Sequence, residues 1–376
     1  MKVAIITFHN TSNFGATLQC CALSHYMRMQ GHNVEIINYL PQYVLDKKSV
    51  YKELRKVGES GNKARALIKG IAYLSYSGLL KRRDDKFEAF IQRNLTLTKR
   101  YGDYDSLLND PPVADYYICG SDQIWNPVLT GKKLDKAFFL QFAQGPGAAY
   151  GASIGELDVE AYTPELRALT DSLSGISVRE QSAAERLKIA LGKNVEVVLD
   201  CTLLLNKDDY RSMEENVVTG SKPYLLLYNI QNSADSIALA KKVAGERGLA
   251  IVDMSPNPFA KVDGAKKIID AGPGEFLSYI RHADHVVTNS FHGTVFSIIY
   301  GKPFFTIPHK TRSDRTADLL KSLHLEERLV TDPNRVKDCE IDYKKVYAEL
   351  SELRSRSFGY LDKILIQNSP KEIRAE

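Results

Sequence analysis

The chain has 376 residues, with 50 Lys and Arg against 46 Asp and Glu, a formal net charge of +4. That length exceeds one ordinary core and predicts two domains of roughly 150–200 residues each. A hydrophobic share of 44% and a charged share of 26% exclude a disordered tail, a collagen-like chain and a disulfide scaffold, and so small a positive excess is no nucleic-acid footprint.

The continuous apolar run Val3–Thr7 reads as a buried parallel strand. The polar loop His9–Gly15 follows, then a helix from Ala16 to Gln30 with Leu18, Cys21, Ala22, Tyr26 and Met29 at three- and four-residue spacing. Gly31 stops it and Val34–Asn38 is the next strand, which completes a βαβ opening. The stretch 46–100 is rich in Lys and Arg and predicts a helical insert with a basic face. Solvated lysines are its plainer reading; docking on an anionic membrane surface or a phosphorylated lipid carrier is the sharper one.

Strands are predicted at Asp115–Cys119, Ala148–Ser153, Ile176–Val178 and Val195–Leu199, with a helix over Glu180–Leu191. After the turn Gly220–Pro223 come strands Tyr224–Tyr228, Ala250–Asp253, His285–Thr288 and Phe304–Ile307. Helices Ala234–Arg247, Gly274–His282, Gly293–Tyr300 and Ala317–Leu323 are interleaved with them, and a final helix runs from Tyr343 to Ile366. This alternation predicts an α/β protein with parallel sheets, whose ligands bind at the carboxyl ends of the strands.

The five cysteines, Cys20, Cys21, Cys119, Cys201 and Cys339, form no CxxC pair. Reduced thiols are expected rather than a zinc site or a secreted disulfide framework. The strand-like start shows no secretory leader, and the apolar runs fall short of the ~20 residues that a membrane span needs. A cytoplasmic location is expected.

Unusual residues fall at the predicted strand ends. The first loop carries Asn13-Phe14-Gly15, without the three glycines that let a dinucleotide pyrophosphate approach the backbone, and no P-loop occurs anywhere. Free amides at that helix start could bind an anion; capping by Ser12 or Asn13 is the equal alternative. In Cys119–Asn126, Gly120 allows a sharp turn, and Ser121, Asp122 and Gln123 crowd hydrogen-bonding groups suited to a polyol or sugar. The plainer reading has Asp122 capping the next segment and Trp125 in the core.

Arg179 stands between a strand and a helix start, where its charge opposes the macrodipole unless an anion compensates. That makes it a candidate phosphate or carboxylate clamp; Asp200 holds a similar position. The strongest local signal is Asn289-Ser290-Phe291-His292-Gly293, a buried strand running into a polar tip and a histidine at a helix start. Proton transfer coupled to anion binding suits such a histidine. His309, Lys310, Arg312 and Arg315 then read as a basic pocket wall, or as a solvated loop.

Asn13-Phe14-Gly15-Ala16, Cys119–Asn126, Ala152-Ser153-Ile154-Gly155, Ser177-Val178-Arg179-Glu180 and Ser290-Phe291-His292-Gly293 together resemble, in order over about residues 1–310, the polysaccharide pyruvyl transferase family. Members resemble GT-B glycosyltransferases. The resemblance implies two Rossmann-like domains facing a cleft: 1–172 on the acceptor side, with the insert, and 173–340 on the donor side. A C-terminal helix in 341–376 is expected to cross back to the first domain.

The resemblance further implies transfer of a carboxyethylidene group from phosphoenolpyruvate to two hydroxyls of one sugar of a polysaccharide precursor, lipid-linked or not. The products are a pyruvate ketal and phosphate, and the reaction needs no metal or redox cofactor. His292 matches the family histidine as general acid. Arg179, Lys310, Arg312 and Arg315 would clamp the donor, and Ser121, Asp122 and Gln123 would orient the diol. Asn13, Gly15, Asn289, Ser290 and Gly293 complete the expected binding residues.

One departure stands out. The family commonly has Arg and Leu before the histidine, where this chain has Ser290 and Phe291. Either a clamp is supplied by Lys310, Arg312 or Arg315, or the donor or acceptor differs. A GT-B glycosyltransferase using a nucleotide sugar and a non-catalytic sugar-binding relative are the alternatives.

Overall fold

Strand β1 (Lys2–Ile6) is apolar because it is covered on both faces, with Val3, Ala4, Ile5 and Ile6 fully buried. The computed structural model of the chain describes residues 1–46, 63–217, 222–308, 314–336 and 339–366. These form two compact units.

The first unit comprises Met1–Lys47, Ile91–Leu205 and Ser351–Glu376. Its sheet contains β1, β2 (Asn33–Tyr39), β3 (Leu97–Tyr101), β4 (Tyr116–Gly120), β5 (Gly147–Ala152), β6 (Ile176–Val178) and β7 (Glu196–Val197). They lie in the order β3-β2-β1-β4-β5-β6-β7, every pair parallel. Val3 is aligned with Val34 on one side and Tyr116 on the other. The order therefore reverses between β1 and β4, where an open α/β sheet leaves a crevice at its carboxyl edge. Helix Phe14–Met29 makes the first crossover, and Gly31, with φ 79°, takes the left-handed turn after it.

The second unit comprises Lys48–Phe90 and Asn206–Leu350. Its strands are β8 (Tyr224–Tyr228), β9 (Ala250–Asp253), β10 (Lys266–Lys267), β11 (His285–Thr288) and β12 (Phe304–Thr306). They pair in parallel in the order β10-β9-β8-β11-β12, which reverses between β8 and β11. The short β10 has no counterpart among the predicted strands.

The fold is thus α/β with parallel sheets, and its parts divide differently from the sequence expectation. Residues after 172 do not leave the first unit, because β6 and β7 extend its sheet. Ser177 secures this join: its Oγ accepts from Gly151 N at 3.0 Å and donates to Ala149 O at 3.0 Å. Most of the expected insert goes with the second unit. Helix Lys63–Asn94 carries Lys86 against Glu275 at 2.8 Å and Arg82 against Asp270 at 3.3 Å.

From Ser351 onward the helix Tyr343–Ile366 belongs to the first unit. There Arg354 Nε donates to Leu203 O at 2.6 Å, Ser357 Oγ accepts from Leu199 N at 3.0 Å, and Tyr360 Oη donates to Ala149 O at 2.8 Å. Among the described residues no helix is long and apolar enough to cross a membrane.

Candidate functional site

In each unit the chemistry-bearing residues gather at the strand reversal. Thr7, just past β1, donates to Ser121 O at 2.9 Å and accepts from Gln19 Nε2 at 3.0 Å, which ties the loops after β1 and β4. Asn13 caps helix Phe14–Met29, its Oδ1 accepting from Ala16 N at 3.3 Å, and Gly15 is buried in the first turn. Ser121 N donates to Tyr150 O at 2.8 Å, and Asp122 adopts a left-handed φ of 68° while its Oδ1 accepts from Gln123 N at 2.8 Å. Asn126 Nδ2 donates to Gln123 Oε1 at 2.9 Å. Gly155 closes over this pair: a Cβ there would lie 2.2 Å from Asn126 Nδ2, at a φ of 56°. Trp125 is a core residue, stacked on Phe139 and donating to Phe138 O at 2.9 Å.

Arg179 joins this group with its side chain only 2% exposed. Its guanidinium donates to Asp200 and lies 3.9 Å from Asp122 Oδ1. Burial opposes its charge, but the carboxylates of Asp200, Glu180 and Asp122 outweigh burial and push its pKa up. The anion that its position at a helix start demands is therefore supplied by Asp200 of the same chain. One cation against three carboxylates leaves this edge net negative, the opposite of a wall built for a dianion. Ser153 Oγ donates to Glu180 Oε1 at 2.7 Å, and the other carboxylate oxygen of Glu180 has no hydrogen-bond partner among the described residues. Hydroxyls, amides and carboxylates clustered this way match a polyhydroxylated ligand.

In the second unit Asn289 bridges the reversal. Its Nδ2 donates to Asn229 Oδ1 at 2.7 Å, and its Oδ1 accepts from Ile230 N at 2.8 Å. Ser290 caps helix Phe291–Ile299, its Oγ accepting from Gly293 N at 3.4 Å. Gly293 lets the helix start lie on the strand end, since a Cβ there would come within 2.4 Å of Thr288 Oγ1. His292 is the second residue of that helix and 7% exposed. Its ring packs edge-on to Phe291 at 5.2 Å, and Arg315 lays its guanidinium over the Phe291 ring at 4.9 Å from the centroid. An imidazole so placed can deliver a proton next to a bound anion. Lys310 and Arg312, with His309, lie outside the described residues.

Arg83, on helix Lys63–Asn94, escapes the sequence reading, which assigns the basic residues of that stretch to a solvated face. It is 6% exposed and shares an inward stripe with buried Phe87 and Phe90. Burial pulls its pKa down, while Tyr228 and Asp84 push it back. Tyr228, the last residue of β8, has its hydroxyl pushed up to about 12 by burial, moderated by Arg83 and by a hydrogen bond with Ser290. Asn229, the partner of Asn289, is the second omission; an isolated Asn after an apolar strand carries no signal by itself. Among the described residues no group of three or more His, Cys, Asp or Glu is arranged to hold a metal ion.

Residues 13–311 match the profile of the family described as polysaccharide pyruvyl transferase. No curated protein matches the sequence significantly. Among solved structures, the UDP-GlcNAc 2-epimerase of Methanocaldococcus jannaschii is similar at 14% identity, covering 93% of this chain and 92% of that one, with a TM-score of 0.49. The enzyme of the same name from Neisseria meningitidis, bound to UDP-GlcNAc, is 11% identical over 97% and 94% of the two chains with a TM-score of 0.48. The glycosyltransferase SnogD of Streptomyces nogalater is 12% identical over 97% and 100%, with a TM-score of 0.46.

Proposed function

The chain belongs to the polysaccharide pyruvyl transferase family, and from that we propose that it moves a carboxyethylidene group from phosphoenolpyruvate to two hydroxyls of one sugar in a polysaccharide precursor. The observation that carries the reading is His292, held by Ser290 and Gly293 at a helix start beside Phe291 and Arg315. His292 protonates the methylene carbon of the donor as the first sugar hydroxyl adds to its C2, so CH2 becomes CH3, a C–O bond forms and the hydroxyl's own proton returns to the imidazole. The C–O bond to phosphate then breaks, phosphate leaves with the bonding electron pair, and the second hydroxyl closes the ketal while its proton passes to the departing phosphate. Arg315 faces the anionic donor, and Lys310 and Arg312 are proposed to assist it.

Ser121, Asp122 and Gln123 in the first unit are proposed to hold the acceptor. The net negative balance around Arg179 suits hydroxyl donors and disfavours a second anion, so Arg179 acts there by positioning Asp122 rather than as a donor clamp. The reaction draws on no metal or redox cofactor. The reading puts the reaction in the cytoplasm, with a lipid-linked acceptor reached at the inner membrane face as one arrangement.

Acceptor-dependent phosphate release from phosphoenolpyruvate, screened against lipid- and nucleotide-linked sugars, tests the reading. The His292→Ala variant is expected to lose release while binding donor as wild type does. Unchanged turnover would sink the assignment, and binding of uridine diphosphate without phosphoenolpyruvate would favour a glycosyltransferase.

A further inference from the structure

The amino edge of the second sheet, at the opposite strand ends from His292, carries a cluster of charge that takes no part in the proposed reaction. Arg281 sits in the last turn of helix Pro273–His282, just before β11, and Lys302 follows helix Phe291–Ile299, just before β12. With Lys207, Arg211 and Tyr300 they line an open cavity of about 240 Å³. Its wall is fixed. Glu214, whose side chain is 9% exposed, accepts from Arg281 Nη1 at 2.5 Å and from Tyr300 Oη at 2.9 Å. The turn that carries Lys302 is held as well, since Lys302 N donates to Ser297 O at 2.8 Å and Lys302 O accepts from Tyr343 Oη at 2.5 Å.

The charges of this cavity do not balance. Glu214 offsets Arg281, and Asp208, 3.1 Å from Arg211 Nε, offsets Arg211. Among the described residues Lys207 and Lys302 have no carboxylate at ion-pair distance, so four cations stand against two carboxylates. Asp284 acts on Lys302 from further away, its Oδ2 accepting from Tyr224 N at 3.0 Å. Burial pulls the pKa of Lys302 down, Asp284 pushes it back, and the charge of Arg281 adds to the downward pull. Cations at helix C-termini offset the macrodipole, which accounts for Arg281. Lys207 lies in a turn, outside any helix, and has no such use. We propose that this cavity binds the phosphate oxyanions of a small ligand, a diphosphate or a phosphomonoester, at a site separate from the catalytic edge. Two guanidinium forks and two ammonium groups around one concavity supply the charge-assisted donors that such an anion needs. The volume falls below the roughly 300 Å³ at which pockets for drug-sized ligands begin, which suits pyrophosphate better than a whole nucleotide.

The site does not depend on phosphoenolpyruvate being the donor. Calorimetric titrations of pyrophosphate and of inorganic phosphate, at constant ionic strength, into wild type, Lys302→Arg and the double variant Lys207→Gln/Lys302→Gln test it. The double variant is expected to bind pyrophosphate at least about tenfold more weakly, with Lys302→Arg, which keeps the charge, close to wild type. Lys207→Gln, at an exposed position, serves alone if the double variant does not fold. Thermal unfolding gives a second readout. Relief of like-charge repulsion predicts a Tm for the ligand-free double variant no lower than that of wild type, and pyrophosphate is expected to raise Tm more in wild type. A lowered Tm with pyrophosphate affinity unchanged would assign the lysines to helix-end compensation and overturn the proposal. Cosedimentation with vesicles of phosphatidylcholine containing phosphatidic acid distinguishes the source of the phosphate. Lysine-dependent binding to those vesicles, without free pyrophosphate, would uphold the site and make a lipid headgroup its occupant. Equal affinity of wild type and the double variant for every probe, or binding of none of them to wild type, would overturn the site.

Discussion

Arg179 and Asp200 form a pair whose side chains are 2% and 0% exposed, so neither charge has water to fall back on. Removing one partner strands the other: Arg179→Met or Asp200→Asn is expected to destabilise by about 3–5 kcal/mol, with the double replacement costing less than the two added. Chemical denaturation of the three variants measures this coupling. Gly293→Ala is expected to lose about 2 kcal/mol or more and most of the activity, because the new Cβ collides with Thr288 Oγ1 and pushes His292 off the strand end. Thiols give a further check. Burial pushes the Cys21 thiol up to about 12 and the Cys20, Cys119 and Cys201 thiols upward as well, whereas Cys339 is exposed. A thiol reagent at neutral pH is expected to titrate Cys339 in the native protein and the other four only after unfolding.

At this scale the sequence is legible where strand, turn and helix start follow one another, as at Asn289–Gly293. Arg179 is legible as an arginine that needs an anion, yet the anion that satisfies it lies 21 residues away and is seen only when β6 and β7 pair. Arg83 is illegible for another reason. Nothing in a run of Lys and Arg tells which one turns inward until the helix has a surface to rest on.

Among elements, the strongest dependence is on the last helix. Tyr360 is buried and its hydroxyl reaches Ala149 O on β5, while Gly175 leaves room for the ring, since a Cβ there would lie 2.9 Å from Tyr360 Oη. Tyr360→Ala is expected to destabilise by about 3–5 kcal/mol, read as a lowered Tm, with Tyr360→Phe costing only about 1 kcal/mol for the lost hydrogen bond. Hydrophobic runs reveal the central strands β1, β4, β8 and β11 because those are covered on both faces. The edge strand β10, Lys266–Lys267, consists of two lysines and pairs by backbone alone, so no side-chain pattern announces it.

Across the whole molecule, both sheets reverse order at one point and present polar residues there, but with different charge. The first sheet's edge holds Arg179 among Asp122, Glu180 and Asp200; the second has Arg315 over the ring of Phe291, which packs against His292. A neutral polyol at one and an anion at the other would respond differently to salt. Raising ionic strength is expected to increase KM for phosphoenolpyruvate and leave KM for the sugar nearly flat, as steady-state kinetics at several salt concentrations would reveal.

The chain order of the first unit bears on how the protein is made. That unit opens with Met1 and is completed by Ser351–Glu376, and Tyr360 bonds to Ala149 across 211 residues. A ribosome therefore releases the whole of Asn206–Leu350 before the segment that closes the first sheet has emerged. The unit begun first is finished last, and during synthesis the face of β5 that Tyr360 will cover stays open to chaperones and proteases. Nascent chains arrested at Leu350 are expected to be cleaved within the first unit while the second resists, and full-length chains to lose that sensitivity on release.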